Sequence, residues 1–407
     1  MTAARLDIAF VVLHTSPLDE PGTKDAGGMN VVVMSQATEL ARAGHRVRLF
    51  TRRSHEEQPA VQDLAPRLTV HHLDAGPARL LAKGDHEAFI STFGEALRGR
   101  IAEHRPDILH AQHWYSGVAA LQPARTFGIP LVQSYHSIAA PEGTPLAAGE
   151  RPEASGRLAS ERRLAHDAQL VVAVSEAERR TVIERLGGDE DRVRVVPPGV
   201  DTACFHPRLV GPAGEAGVVG AQAARREVLV AGRLDPLKRF DLAIAAVAAI
   251  PSPERPLLRI VGAAPPDGSD YERRLHRAVD AAGMRATTIF EGALPRPQLA
   301  ERMRNADLVL IPSHSETFGL VALEAAASGV PVIAAAAGGL REAVLHGETG
   351  LLIENDAPES WASAIRRILG DQALRARMGS AGRTRAEAHS WQRSAEQLAQ
   401  AYHELLG

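Results

Sequence analysis

The sequence predicts two tandem doubly wound α/β domains, each built on a parallel, Rossmann-like sheet, and three observations support this. The chain has 407 residues, too many for one ordinary core and natural for two of about 200 each. Short apolar runs alternate with longer stretches of helical period, as in βαβ units. A polar, Gly/Ala-rich stretch at 211–225 lacks apolar periodicity and separates two such series, so it reads as a surface loop or linker.

In the first series, residues 8–13, 47–51, 68–72, 108–110, 130–134 and 170–175 read as buried strands, with helical stretches such as 30–43 and 87–103 between them. A short last strand, 193–196, is closed by Pro197, Pro198 and Gly199. The second series places strands at 227–231, 257–262, 287–291, 308–312, 330–334 and 350–353. Its helices fall at 239–249, 271–282, 296–305, 320–328 and 358–369, followed by two C-terminal helices at 372–388 and 391–406. The expected domains are 1–200, completed by a C-terminal helix at 390–407, and 201–389. Ligands of such sheets bind beyond the carboxyl ends of the strands, so the motifs are expected to face a cleft between the domains.

Composition removes several functions. Forty-six Lys+Arg against 49 Asp+Glu give a net charge of -3, unlike a nucleic-acid-binding chain. One cysteine, Cys204, forbids an internal disulfide and fits a reducing, cytoplasmic setting. No run approaches the ~18 apolar residues of a membrane span; the best, 242–250, is closed by Pro251. Arg5 and Asp7 interrupt the apolar run before Ile8, which argues against a secretory leader. Aromatic residues, at 4%, are too sparse for the stacking platforms that long polysaccharides favour. Asp189-Glu190-Asp191 formally matches an Asp-x-Asp metal motif but sits in a charged turn before Arg192 and reads as solvated. The 17 histidines are scattered, so no metal is expected. What remains is an enzyme acting on small polar molecules.

Three local patterns point to its chemistry. The strongest is Ser313-His-Ser-Glu-Thr-Phe-Gly-Leu-Val-Ala-Leu-Glu324, between a strand and a helix. Small residues and Gly319 at the helix start leave backbone amides approachable, which offers a phosphate site. Glu324 lies about 7.5 Å further along the helix axis than Gly319. A diphosphate at the helix start would leave Glu316 facing one attached sugar and Glu324 the other, as a nucleotide-sugar requires. The second pattern, Ala231-Gly-Arg-Leu-Asp-Pro-Leu-Lys-Arg239, aims Arg233 and Lys238 from the end of a strand; a departing diphosphate needs such donors. The third is the long exit loop of the first strand, from His14 through Asp25 to Gly27-Gly28-Met-Asn30, which begins another helix. Singly, each pattern has an ordinary structural reading as a helix cap, a solvated loop or a flexible turn.

Together, Gly27-Gly28-Met29-Asn30, Gly232-Arg233…Lys238 and Glu316-Thr317-Phe318-Gly319…Glu324 resemble family 4 of the retaining glycosyltransferases, which have the GT-B fold. The resemblance spans essentially the whole chain. The stretch from Leu13 to Asn30, Ala75-Gly-Pro, His110-Ala-Gln-His-Trp and the run to Ala140 are most similar to the family's inositol-phosphate branch. The resemblance implies that Arg233 and Lys238 bind the donor diphosphate, helped by amides near Gly28 and at Phe318 to Leu320. Glu324 would hold the ribose, Glu316 the transferred sugar, and His136 would sit near the reaction centre. It further implies an acceptor site of His14, Asp25, Asn30, Lys83, His113, Ser137 and Arg157, with the last four around a phosphate. His113 stands where those enzymes have a Tyr, and Arg239 where a Gly is usual after the Lys.

The implied reaction is metal-independent front-face displacement of a UDP-linked hexose or N-acetylhexosamine, GlcNAc first, onto 1D-myo-inositol 3-phosphate. No protein nucleophile and no cofactor are expected. Domain closure would bring donor and acceptor groups together. Two other functions fit parts of the pattern. One is a natural-product glycosyltransferase using an aminocyclitol; the other, from a different class, is a UDP-GlcNAc 2-epimerase-like enzyme, for which Asp25, Asp107 and Glu142 are only scattered carboxylates. The expected partners are the nucleotide-sugar and a small polar acceptor, with no nucleic acid and no membrane span; a homodimer stays open.

Overall fold

A computed structural model describes residues 4–20, 26–208, 225–264 and 269–407. The stretch read as a linker, as far as residue 224, lies outside these, and so does Asp25. The chain divides into two compact units. One gathers the N-terminal part as far as Gly199 with Trp391–Gly407; the other spans Val200–Ser390.

The first unit holds β1 (Asp7–Val12), β2 (Arg46–Arg52), β3 (Val61–Ala65), β4 (Leu68–Leu73), β5 (Ile108–Gln112), β6 (Leu131–Ser134), β7 (Leu170–Ala173) and β8 (Val193–Val195). They form one sheet in the order β3-β4-β2-β1-β5-β6-β7-β8. Every pairing is parallel except that of β3, which runs antiparallel to β4 with an irregularity between Asp63 and Ala65. Sequence patterning does not reveal β3, because it is a mostly exposed edge with polar Gln62 and Asp63 and shows no apolar alternation. The central strand shows why the other runs are continuously apolar: Ala9, Val11 and Leu13 enter one core, while Ile8, Phe10 and Val12 enter another on the opposite face.

The second of these cores is completed from the far end of the chain. Helix Trp391–Leu406 contributes Ala395, Leu398, Ala401 and Tyr402. It packs beside helix Gly28–Arg42, where Gln36 Nε2 donates to Ser394 Oγ at 3.1 Å. A buried relay fixes the register. Tyr402 O–H donates to His110 Nδ1 (2.6 Å), His110 Nε2–H to Ser134 Oγ (2.9 Å), and Ser134 O–H to the Val172 carbonyl (3.1 Å). Burial holds His110 well below its usual pKa, so the ring is neutral, as this relay requires.

The second unit holds β9 (Glu227–Ala231), β10 (Leu257–Val261), β11 (Thr288–Phe290), β12 (Leu308–Ile311), β13 (Val332–Ala335) and β14 (Gly350–Ile353). They pair in parallel in the order β11-β10-β9-β12-β13-β14. Val228, Val230, Leu308, Leu310, Ile333 and Trp361 build its core. In each unit the strand order reverses once, between β1 and β5 and between β9 and β12, and a doubly wound sheet binds its ligand at that point. Among the described residues no helix is long and apolar enough to cross a membrane.

Candidate functional site

In the second unit the sequence-predicted residues meet at the carboxyl ends of β9 and β12. After β9, Gly232 takes φ +151°, and a short turn over Pro236–Lys238 is capped by Asp235, whose carboxylate accepts from the Leu237 amide at 2.8 Å. Arg233 is half-buried with Asp235 at 3.4 Å. Lys238 Nζ donates to Glu316 Oε1 at 2.6 Å, and Ser313 Oγ donates to the same oxygen at 2.9 Å. The His314 amide to the Leu237 carbonyl, 2.8 Å, ties the two loops together. A cation and a carboxylate from separate strand exits thus lie in direct contact, each still partly open to solvent.

The loop bearing Glu316 is held by backbone. Gly339 N–H donates to the Glu316 carbonyl at 2.8 Å. A Cβ on Gly338 (φ +48°) would lie 2.3 Å from that carbonyl, and one on Gly339 2.3 Å from the Thr317 carbonyl. Only glycines fit this close approach. Helix Leu320–Ala327 then starts from Gly319, at φ +104°, with Phe318 buried beneath it. Glu324 is buried one turn into the helix and pairs with Arg296 at 2.7 Å. Burial still pushes its carboxyl up, and Arg296 only partly offsets this. Arg239 takes the left-handed conformation, φ 53° and ψ 48°, which explains a preference for Gly at that position; its guanidinium pairs with Asp356.

In the first unit a second cluster surrounds the exits of β1, β5 and β6. Lys83 Nζ (3.0 Å), Ser137 Oγ (2.7 Å) and Arg157 Nη1 (2.6 Å) all donate to one oxygen, Glu150 Oε1. Arg157, fully enclosed, also donates to Glu153, to Glu161 (2.7 Å) and to Ser137. Burial works against the charge of Arg157, and Glu150, Glu161 and Glu153 more than offset it. Burial likewise works against the Glu150 carboxylate, yet Lys83 and Arg157 hold its pKa well below the usual range.

Beside them, the His14 and His113 rings lie 4.2 Å apart, and Tyr115 and His86 flank His14. Both are held neutral, first by burial and then by the cations and histidines nearby. Both ring nitrogens of His113, Nδ1 of His14 and Nε2 of Gln112 are buried without a hydrogen-bond partner among the described residues. Such orphaned groups are costly unless a ligand or solvent satisfies them. His113 and His136 both have positive φ, 69° and 59°. Non-glycine strain of this kind gathers at functional sites. His136 Nε2–H donates to Gln112 Oε1 at 2.6 Å, and burial lowers its pKa to about 4. Asn30 is a strut: its Nδ2 donates to the Ser16 carbonyl (2.7 Å) and its Oδ1 accepts from the Gly27 amide (3.3 Å), fixing the helix start at Gly28.

Sequence reasoning misses Glu150, Glu153, Gln112, Gly338 and Gly339. Of these, the Gly338-Gly339 pair, just after a strand, and Gln112, inside His110-Ala-Gln-His-Trp, carry a local signal. Among the described residues no group of three or more His, Cys, Asp or Glu side chains is arranged to hold a metal ion.

Comparison with known proteins agrees with this architecture. Residues 26–203 match the profile "Glycosyltransferase Family 4", and residues 217–385 match "Glycosyl transferases group 1". A D-inositol 3-phosphate glycosyltransferase of Kineococcus radiotolerans is 40% identical over 97% of this chain and 94% of its own. One from an Arthrobacter species is 37% identical with the same coverage. Among solved structures, the sucrose-phosphate synthase of Thermosynechococcus elongatus superposes with a TM-score of 0.88 at 31% identity, covering 99% of each chain. HepE of Anabaena gives 0.74 at 24% identity, covering 97% of this chain and 99% of its own, and shares the fold. These matches leave the epimerase alternative without support. A GT-B pair of Rossmann-like units, with full-length relatives at this level of identity, makes the chain a member of the family 4 glycosyltransferases.

Proposed function

We propose that this glycosyltransferase moves a hexosyl group, GlcNAc first among the candidates, from a UDP-linked donor to a hydroxyl of 1D-myo-inositol 3-phosphate with retention of configuration. The single observation that supports this best is the contact of Lys238 with Glu316 at the carboxyl ends of β9 and β12. Arg233 and Lys238 would neutralise the donor diphosphate, with the amides at Phe318 to Leu320 completing its cradle and Gly28 approaching from the other motif. Glu316, released from Lys238 as the diphosphate arrives, would take hydroxyls of the transferred sugar, and Glu324 those of the ribose.

In the reaction, the bond from the anomeric carbon to the diphosphate oxygen breaks with its electron pair on the diphosphate. The acceptor oxygen bonds to the same face of that carbon, and its proton passes to the departing phosphate oxygen. Arg233 and Lys238 stabilise the charge that develops there, so the step needs neither a protein nucleophile nor a metal. Neutral His136 would hydrogen-bond the sugar without adding charge. His14, His113, Lys83, Ser137 and Arg157 would hold the acceptor, and the relatives' name supports a phosphorylated cyclitol. The test is a screen of UDP-, GDP- and TDP-sugars, then an acceptor panel with the best donor, with the anomeric configuration of the product read by NMR. No transfer to inositol 3-phosphate from any donor would overturn the acceptor assignment, and an inverted product would overturn retention.

A second reading is favoured by one observation. Three carboxylates, Glu150, Glu153 and Glu161, stand around the two cations Lys83 and Arg157, an acidic excess that suits an ammonium group. An aminocyclitol used in preference to the phosphate in the same panel would establish it.

A further inference from the structure

We propose that Glu150 is a built-in competitor of the acceptor's phosphate: a specificity-determining carboxylate that occupies Lys83, Ser137 and Arg157 and must leave them before a phosphorylated acceptor binds. The proposal rests on the anionic-acceptor reading above and deepens it.

The geometry at Glu150 is that of a bound anion. Three donors from three parts of the unit converge on one oxygen: the turn at Lys83–Phe89, the exit of β6, and the start of helix Arg157–Asp167. A phosphate oxygen is held in just this way, by a cluster of charge-assisted hydrogen bonds.

The donor inventory then forces an exchange. A guanidinium has five N–H groups. In Arg157, Nε donates to Glu161, Nη1 to Glu150 and Glu153, and Nη2 to the carbonyl and hydroxyl of Ser137. All five are engaged, so a phosphate cannot simply be added and one partner has to go. Glu161 is fully buried and also accepts from the Ala139 amide. Glu153 also accepts from Trp114 Nε1 at 2.9 Å. The side chain of Glu150 has no partner among the described residues beyond Lys83, Ser137 and Arg157, the groups a phosphate would take. Its backbone stays anchored, with the Ala140 amide donating to the Glu150 carbonyl at 2.9 Å, so the side chain can turn away without unseating the loop.

The exchange carries a selectivity. A phosphate monoester brings nearly two negative charges at neutral pH where Glu150 brings one. It therefore gains from the same donors, whereas a monoanionic head group, a carboxylate or a sulfate ester, only matches what it displaces.

The test compares wild-type protein with E150Q, which keeps the size of the side chain and removes its charge. Binding of inorganic phosphate and of inositol 3-phosphate is measured by calorimetry at one pH and ionic strength. Because charge-assisted hydrogen bonds no longer have to be broken, the dissociation constant for phosphate is expected to fall about tenfold or more in E150Q. Unchanged or weaker phosphate binding overturns the proposal and makes Glu150 a strut that positions the cations. If E150Q fails to fold, E150D, which withdraws the carboxylate by one methylene, is expected to show a smaller tightening, and its absence counts against the proposal. Inorganic phosphate separates this inference from the acceptor assignment. Tighter phosphate binding with no transfer to inositol 3-phosphate by either protein would keep Glu150 as a competitor and sink the acceptor's identity. Weaker binding with transfer intact would do the reverse.

Discussion

The two charged clusters differ in how their ions are matched. In the second unit, cations and carboxylates meet in separate pairs, as Lys238 does with Glu316 and Arg296 with Glu324. In the first unit, Glu150, Glu153 and Glu161 gather around the single guanidinium of Arg157, and Lys83 shares the first two. Exposure follows the same division. The Arg233 side chain keeps 26% of its surface in solvent, and that of Arg157 keeps none. Pairs partly open to solvent cost less to rearrange, whereas a buried hub holds its members strongly. One unit is built to re-pair with a ligand; the other must trade one anion for another.

The largest expected effect tests the sealed hub. Arg157→Ala would strip its guanidinium from three buried or half-buried carboxylates, and a loss of about 3–5 kcal/mol in urea unfolding is expected. A loss below about 1 kcal/mol would place the hub among ordinary surface pairs and erase the contrast. Lys238→Ala probes the other unit. It is expected to lower kcat about 10²–10³-fold, or about 2.7–4 kcal/mol in the barrier, through loss of a donor to the leaving diphosphate. Its folding stability is expected to shift by less than about 1 kcal/mol.

Acid should separate the units next. In the first unit, burial lowers the pKa of His14, His45, His71, His72, His86, His110, His113 and His136; in the second it lowers that of His314. As pH falls from the ordinary value of 6.5 towards the value of about 4 at His71, His86 and His136, the unfolded chain takes up protons that the folded unit refuses. Stability is therefore lost on acidification, on the order of 3 kcal/mol for His136. Glu161, raised by burial, and Glu178, pushed up by burial to about 7, act in the opposite direction, against eight histidines and the lowered carboxylates Glu150 and Glu153. Hydrogen exchange resolved by peptide and corrected for intrinsic rates should show the first unit losing protection at the higher pH. Equal loss in both units would break the comparison.

The smallest effect sharpens it. Arg239→Gly relieves a left-handed residue and gives up the packing of a largely buried side chain and its ion pair to exposed Asp356. Thermal unfolding of the second unit is expected to show a gain of up to about 1 kcal/mol.

The sequence reveals what is local. Runs such as Val228–Val230 stand out because both faces of a parallel sheet are covered, and Glu316, Gly319 and Glu324 stand out because one strand–loop–helix passage carries all three. Lys83 and Arg157 emerge only through resemblance. Glu150 does not emerge at all, since 67 residues separate it from Lys83 and nothing periodic marks the loop between β6 and helix Arg157–Asp167. The edge strand β3 is hidden for a related reason: its pairing with β4, not its composition, makes it a strand. The strained φ of His113 and His136 is likewise a product of tertiary packing and invisible in the letters.

The helix Trp391–Leu406 has a consequence for biosynthesis. The surface formed by Ile8, Phe10 and Val12 receives Leu398 and Tyr402 only after the ribosome has made the entire second unit. Throughout that interval the emerging chain carries a greasy face that helix Gly28–Arg42 covers only in part, the kind that invites capture by chaperones or by neighbouring nascent chains. A polypeptide released near Gly199 would keep that face half-covered for good.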